Sequence, residues 1–287
     1  MGNLNQVSRQ KKVMELPKRA LFSLFRVRAL NRFDDLVLKS LTSFNLMLKA
    51  LDKDQVSKKL RKWPLHDCLA EAVFPDFKYS FFLAKNHDFN IYLNPYFHEL
   101  DVVTRIRSIL KKGDIFVDVG SHAGLFSLIG AKNVGPNGKV ISVEPNPENL
   151  WYLRSNIRTN RLNNIVVVPK ALADDVTRAF LHYEPKDTAL GSILLKRGKK
   201  LAVETSTLNL IYEKLIGLDR VRLVKIDTEG LDLQVLRGGL HILGKVDNLI
   251  VEQNNREIRS FLIGHGFELE TLKPSGYLFA QNIGIQA

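Results

Sequence analysis

The chain has 287 residues, 45% of them hydrophobic and 25% charged, which is enough apolar mass for a sizeable core and excludes a wholly disordered or fibrous protein. Its net charge of +12 is lopsided: residues 1–63 hold 15 Lys and Arg against 5 Asp and Glu, and the remainder holds 27 against 25. A single cysteine, Cys68, excludes an intrachain disulfide, no apolar run is long enough to span a bilayer, and the near-neutral body argues against the basic face of a nucleic-acid enzyme.

The first six residues, Met1 to Gln6, carry no apolar signal core, and Gln6 stands where a myristoylation motif wants Ser or Thr, so the expected location is the cytoplasm. Residues 1–16 read as disordered. From Leu30 the residues Phe33, Val37, Leu41, Phe44, Leu48 and Leu51 follow helical spacing until Trp63-Pro64, which makes 1–65 a basic, mainly helical extension. That extension would serve as a lid packing its apolar stripe on the body, or as peripheral membrane contact through residues 1–63. Residues 66–111 read as a lead-in: two short strands within 77–94 around a turn at Asn86-His87-Asp88, then a helix from about Leu100 to Lys111.

From 112 to 287 strands alternate with helices. Apolar strands are expected at Ile115–Val119, Val140–Glu144, Ile165–Val168, Leu223–Asp227 and Leu249–Glu252, with helices at Leu125–Ala131, Glu148–Asn160, Leu231–Leu236 and Arg256–Gly264. Strands apolar on both faces and interleaved with helices predict a doubly wound, mostly parallel α/β sheet of Rossmann-like type. A closing hairpin, Phe267–Thr271 and Tyr277–Ala280 around Pro274-Ser275-Gly276, predicts an antiparallel edge. The stretch Asp175–Val203, with the basic run Lys196-Arg197-Gly198-Lys199-Lys200, reads as an irregular loop beside the site.

Ligands of open parallel sheets bind beyond the carboxyl ends of the strands. Asp118, Glu144, Asp227 and Glu252 each end a strand, and that rim is the expected site. Gly120-Ser121-His122-Ala123-Gly124 joins the first strand to its helix, with Gly120 permitting a tight turn and Gly124 a close helix start. A pyrophosphate cofactor wants glycine where His122 stands, and Asp118 would repel it. S-adenosylmethionine, with cationic amino and sulfonium groups and no phosphate, answers both objections, and Glu144 is placed to accept from its ribose hydroxyls. A plain strand–helix turn uses the same glycines, so the acids beside the loop carry the argument.

From about Tyr96 to Glu252 the chain resembles the FkbM family of methyltransferases. The resemblance rests on Gly113 to Gly124, Val143-Glu144-Pro145-Asn146-Pro147, Asn156 with Asn160, Lys170-Ala171-Leu172, Thr205 to Asn209, Val224-Lys225-Ile226-Asp227-Thr228-Glu229-Gly230, and Val235-Leu236-Arg237-Gly238. It departs where the family commonly carries Asp and this chain has Asn209, and where Glu is frequent and this chain has Asp232. The resemblance implies a class I methyltransferase fold and S-adenosylmethionine as donor. It implies donor binding by Asp118, Gly120, Ser121, His122, Gly124, Glu144, Asn146 and the backbone at Ala171, with Glu99 matching a family acid ahead of the domain. It also implies O-methylation of a sugar, glycolipid or related natural product.

An alcohol is a poor nucleophile until its proton is leaving, so a base should stand beside it. Asp227 is the expected base, with Glu229 alongside and Glu252 third; Glu229 would equally complement the dipole of the helix that follows. Asn156 and Asn160 read as residues that tie local backbone. Three carboxylates on one rim could hold Mg²⁺, though metal use is not the expected reading and no His or Cys cluster has transition-metal spacing. The alternatives are an RNA methyltransferase, disfavoured because this chain has Asp227-Thr228-Glu229-Gly230 and no amine-methylating motif after the fourth strand, and an NAD-dependent oxidoreductase, which His122 obstructs. A binding module that has lost activity is the third, and intact site acids give it no support. Oligomeric state is not legible.

Overall fold

The structure, a computed structural model, describes residues 26–29, 68–73, 78–83, 99–184, 187–193 and 198–284. The expectations for 1–16, for the stripe from Leu30 to Trp63-Pro64 and for the turn at 86–88 lie outside the described residues. Among the described residues β1 (Arg26–Ala29), a strand inside the extension expected to be mainly helical, joins β2 (Cys68–Val73) and β3 (Lys78–Leu83) of the lead-in in an antiparallel three-stranded sheet. β3 matches the first of the two strands expected there; β2 had no counterpart in the sequence reading. Helix α1 (Leu100–Ile109) follows.

The main sheet has seven strands. β4 (Ile115–Val119), β5 (Lys139–Val143) and β6 (Ile165–Val168) run outward on one side, and β11 (Leu223–Ile226) and β12 (Asn248–Val251) on the other. β13 (Phe267–Thr271) and β14 (Leu278–Asn282) complete the order β13-β14-β12-β11-β4-β5-β6. β6, β5, β4, β11 and β12 are parallel, and β14 pairs antiparallel with both β12 and β13. The closing hairpin is therefore present, but its second strand is the inner one and β13 forms the edge. This is the doubly wound, mostly parallel α/β arrangement that the sequence predicts.

Apolar residues alternate between two cores. One face carries Phe116, Val140, Leu223, Ile250 and Phe279 under α1 and α2 (Leu125–Val134). The other carries Val117, Ile141, Val224, Val251 and Ala280 under α4 (Leu208–Leu215), α5 (Asp232–Arg237) and α6 (Arg256–Gly264). Helix α3 (Pro147–Thr159) starts on an Asn146 cap with proline at its first position, a pre-organised helix start. Among the described residues no helix is long and apolar enough to cross a membrane.

The irregular stretch of the sequence reading is corrected by a second sheet. β7 (Ala171–Leu172), β8 (Arg178–Glu184), β9 (Asp187–Ser192) and β10 (Lys199–Ser206) form a four-stranded layer in the order β7-β10-β8-β9. Lys199 and Lys200, read as part of a loop, begin β10. The layer is half solvated, so β8 and β10 mix exposed Phe180 and Lys200 with buried Leu181 and Val203. The Lys200 ammonium lies 3.7 Å from the Phe180 ring centroid.

Candidate active site

The four strand-ending acids converge as the topology requires. β5, β4, β11 and β12 are consecutive neighbours, so Glu144, Asp118, Asp227 and Glu252 lie side by side on one rim. Gly120 begins the loop between β4 and α2 at a φ of +74°, and its amide donates to the Val143 carbonyl at 3.0 Å. A Cβ there would stand 1.8 Å from the carbonyl oxygen of Asp227, so only glycine lets the loop pass this close to the end of β11. Gly124, at φ +94°, is the N-cap of α2 and lies against Leu153 of α3.

Asp118 is fully enclosed. Its Oδ2 accepts from Ser127 Oγ at 2.5 Å, Ser142 Oγ donates to Ser127 Oγ at 2.7 Å, and Lys225 Nζ stands 3.6 Å from Oδ1. Burial pushes its pKa up, and the Lys225 ammonium pulls it back. The carboxylate that the sequence assigned to the cofactor's positive charge is thus already matched to a buried cation. Glu144 is equally enclosed: Oε2 accepts from the His122 amide at 2.9 Å, and Oε1 accepts from the Asn146 amide at 2.9 Å and Asn149 Nδ2 at 3.1 Å. Burial raises its pKa against the pull of His122. Ser121 turns its hydroxyl to the Val143 carbonyl, and Ala171 lies just past β6, where β7 pairs with β10. Asn156 does more than tie local backbone: its Nδ2 donates to the Ala123 carbonyl at 2.9 Å and pins the glycine loop to α3. Asn160 binds the nearby Asn156 carbonyl, as expected.

The other half of the rim is built around Lys225, opposite Asp118 in the β11–β4 register and 1% exposed. Its ammonium reaches Asp227 Oδ2 at 3.0 Å and lies 4.8 Å from the Phe126 ring centroid. Burial would discharge this lysine, but Asp227, Asp118 and Glu99 around it hold it protonated. Burial likewise works against the charge on Asp227. Lys225, with hydrogen bonds from Glu252 and Tyr277, outweighs it and lowers that carboxyl's pKa. Glu252 moves the other way, pushed up to about 9 by burial and by Asp227 and Glu229, so a proton held by this pair favours Glu252 over Asp227. Tyr277 Oη stands 2.9 Å from Asp227 Oδ2 and 3.1 Å from Glu99 Oε1.

Asp232, at the start of α5, fastens the two acid loops together. Its Oδ1 accepts from the Thr228 amide and hydroxyl at 3.0 and 2.6 Å, and its Oδ2 from the Gln253 amide at 2.9 Å. Non-glycine residues at positive φ among the described residues are Glu99, His122, Arg161 and Glu229, and three of these four line the rim. Backbone held in that region persists only where its surroundings over-determine it, a pattern typical of ligand sites. Oxygens of Asp227, Glu229 and Glu252 lie within 4.8 Å of one another, close enough to share a proton or a hard cation. Asp227 already accepts from Lys225 and Tyr277 within this cluster.

The sequence-selected residues Glu99, Asp118, Gly120, His122, Glu144, Asp227 and Glu252 are all on this rim. Lys225 and Tyr277 were missed as functional residues. A lysine inside the apolar strand Leu-Val-Lys-Ile demands a buried counter-charge, and that signal was legible. Tyr277 carried no local signal, because it is brought to the rim by a turn 50 residues downstream of Asp227.

Comparison with known proteins places the arrangement. The methyltransferase FkbM domain matches residues 118–269, more than half of the chain. "Methyltransferase 1" of Beauveria bassiana is 23% identical over 195 residues, covering 58% of this chain and 78% of that one. Hexuronic acid methyltransferase AglP of Haloferax volcanii is 26% identical over 155 residues, covering 54% and 62%. Among solved structures, a SAM-dependent O-methyltransferase from Thermotoga maritima superposes with a TM-score of 0.43 at 14% identity, covering 67% of this chain and 68% of that one, a distant likeness. With that domain running from the acid of β4 to the edge strand β13, the chain belongs to the FkbM family of S-adenosylmethionine-dependent methyltransferases.

Proposed function

We propose that this enzyme transfers the methyl group to a hydroxyl oxygen of a sugar, glycolipid or related natural product, with 112–287 as its catalytic domain. The observation that carries the reading is Asp227. It is an ionised carboxylate, 21% exposed, held by Lys225 and Tyr277 beside the glycine loop. AglP, by its name, methylates a hexuronic acid, and its similarity to this chain supports a hydroxyl-rich acceptor.

The rim suits the donor chemically. Asn146 Nδ2 is buried with no hydrogen-bond partner among the described residues, an orphan donor next to Glu144. Glu144, Asn146, His122 and the loop from Gly120 to Gly124 would hold the donor, with Ala171 past β6 bordering it. When bound, S-adenosylmethionine supplies a methyl group activated by positive sulfur. The protein's own part is placement and proton handling. The Gly120 contact with Asp227 fixes the donor loop against the base, which favours an in-line approach. Lys225 and the protonated Glu252 keep Asp227 ionised. A lowered carboxyl pKa suffices for this base, because the acceptor's proton becomes strongly acidic as its oxygen gains the methyl.

The reading is tested by calorimetric titration with S-adenosylhomocysteine beside NAD, followed by labelled-donor assays on a panel of hexuronic acids and other sugars. The homocysteine compound alone should bind, and Asp227→Asn should retain that binding while losing methyl transfer by about 100-fold or more. Binding of NAD instead would overturn the donor assignment, and full activity in Asp227→Asn would overturn the base.

A further inference from the structure

Tyr277 precedes β14 on the turn of the closing hairpin, outside every motif that the sequence marks. Its hydroxyl lies between two carboxylates, 2.9 Å from Asp227 Oδ2 and 3.1 Å from Glu99 Oε1. A phenol has one proton, so it can donate to only one of the two at a time. Burial and the charges of Asp227, Glu99 and Glu252 push its pKa far up, so the phenol stays protonated and must choose. The arrangement is held from outside. Ser275 donates through its amide and hydroxyl to Asp101 Oδ2 at 3.0 and 2.6 Å, fastening the turn to the first turn of α1 directly after Glu99. Asn254, past β12, donates to the Gly276 carbonyl and to Thr271 at 3.1 and 3.0 Å, fastening the same turn to the acid loops.

We propose that Tyr277 relays the acceptor's proton from Asp227 to Glu99. This rests on the reading of Asp227 as the base. While Asp227 is ionised the phenol donates to it. As the acceptor oxygen bonds to the methyl carbon and the carbon–sulfur electron pair stays with sulfur, the acceptor's O–H bond breaks and its proton joins Asp227. Tyr277 then gives its own proton to Glu99 and takes up the one on Asp227, so one O–H bond forms for each that breaks. An acceptor in place covers Asp227, whereas Glu99 lies at the head of α1, partly exposed, and can pass the proton to water. Of the other groups around Asp227, Lys225 already carries its proton, Asp118 is sealed against Ser127 and Lys225, and Asp232 accepts from Thr228 and Gln253; Glu229 and Glu252 share the rim with Asp227, but it is Glu99 that the Tyr277 hydroxyl bridges to it. Tyr277 acts through Asp227 and is a positioning and relay residue.

The test needs no acceptor. The full chain is labelled with carboxyl-¹³C aspartate and glutamate and titrated with acid by carbon-detected NMR, with Asp227→Asn and Glu99→Gln assigning the two signals. The Glu99 signal should respond in the Asp227 step in the wild type, because the phenol proton turns as Asp227 protonates. In Tyr277→Phe the two should titrate in separate steps, with the amide spectrum showing an intact fold. Identical titrations in both proteins would overturn the relay. If the Phe variant loses its native amide spectrum, the wild-type chain containing 3-fluorotyrosine replaces it. The more acidic phenol should then move both steps, and movement of neither would overturn the relay. Once an acceptor is in hand, Tyr277→Phe should lower kcat about tenfold or more with KM and S-adenosylhomocysteine affinity unchanged. A relay that fails while Asp227→Asn is inactive leaves the base reading standing. Coupled titration with Asp227→Asn fully active removes the base and leaves only the link.

Discussion

Carboxylates at the ends of β4 and β5 are enclosed by the protein's own donors, whereas those at the ends of β11 and β12 are enclosed largely by one another. Asp118 and Glu144 receive hydroxyls, an ammonium and backbone amides, and are at most 5% exposed. Asp227, Glu229 and Glu252 are half-buried and crowd together, with the Lys225 ammonium on Asp227 and a proton on Glu252 offsetting their repulsion. The first half is a closed socket, the proposed donor site. The second is poised to change its protonation, as the proposed base requires. Lys225 belongs to both halves, and the comparison turns on it.

Removing that shared cation should have the largest effect. Lys225→Met leaves Asp118 ionisable and buried without a counter-charge, and should lower stability by about 3–5 kcal/mol in urea denaturation. Adding Asp118→Asn should restore most of it; no recovery would mean that the two halves are not joined through this pair. A smaller effect should follow at the socket alone. Asn156→Ala frees the buried Ala123 carbonyl and should cost about 1–3 kcal/mol and weaken S-adenosylhomocysteine binding, leaving the acid half untouched. A third effect is a slope in pH. Folded Glu252 holds its proton up to about pH 9 against an ordinary value of 4.5, so the folded protein binds this proton more tightly than the unfolded chain. The stability it confers is fully present below pH 4.5 and is lost as pH rises toward 9. Glu252→Gln should flatten stability across that window, and an unchanged slope would place the proton elsewhere.

The socket was the more legible half in the sequence, and the reason is local. Asp118, the glycine loop and Glu144 lie within one strand–helix–strand unit, where close backbone approach restricts the residue types. The parallel strands were legible for a related reason: buried on both faces, β4, β11 and β12 read as unbroken apolar runs. β8 and β10 were not, because a strand with one wet face mixes residues such as Lys200 and Phe180 with its core positions and resembles a polar loop. Tyr277 and Asp232 escaped because their roles arise from tertiary contacts. The first meets Asp227 through a turn, and the second reaches Gln253, 21 residues downstream.

The inner position of β14 also bears on the order in which the domain assembles. β13 precedes β14 in the chain yet cannot join the sheet until β14 has paired with β12, because β14 is its bridge to the rest. Until then β12 presents an open edge, a template for unwanted pairing. Tyr277 arrives with that same strand. A chain stopped short of residue 277 would therefore lack at once the strand that covers the edge of β12 and the tyrosine that completes the acid site.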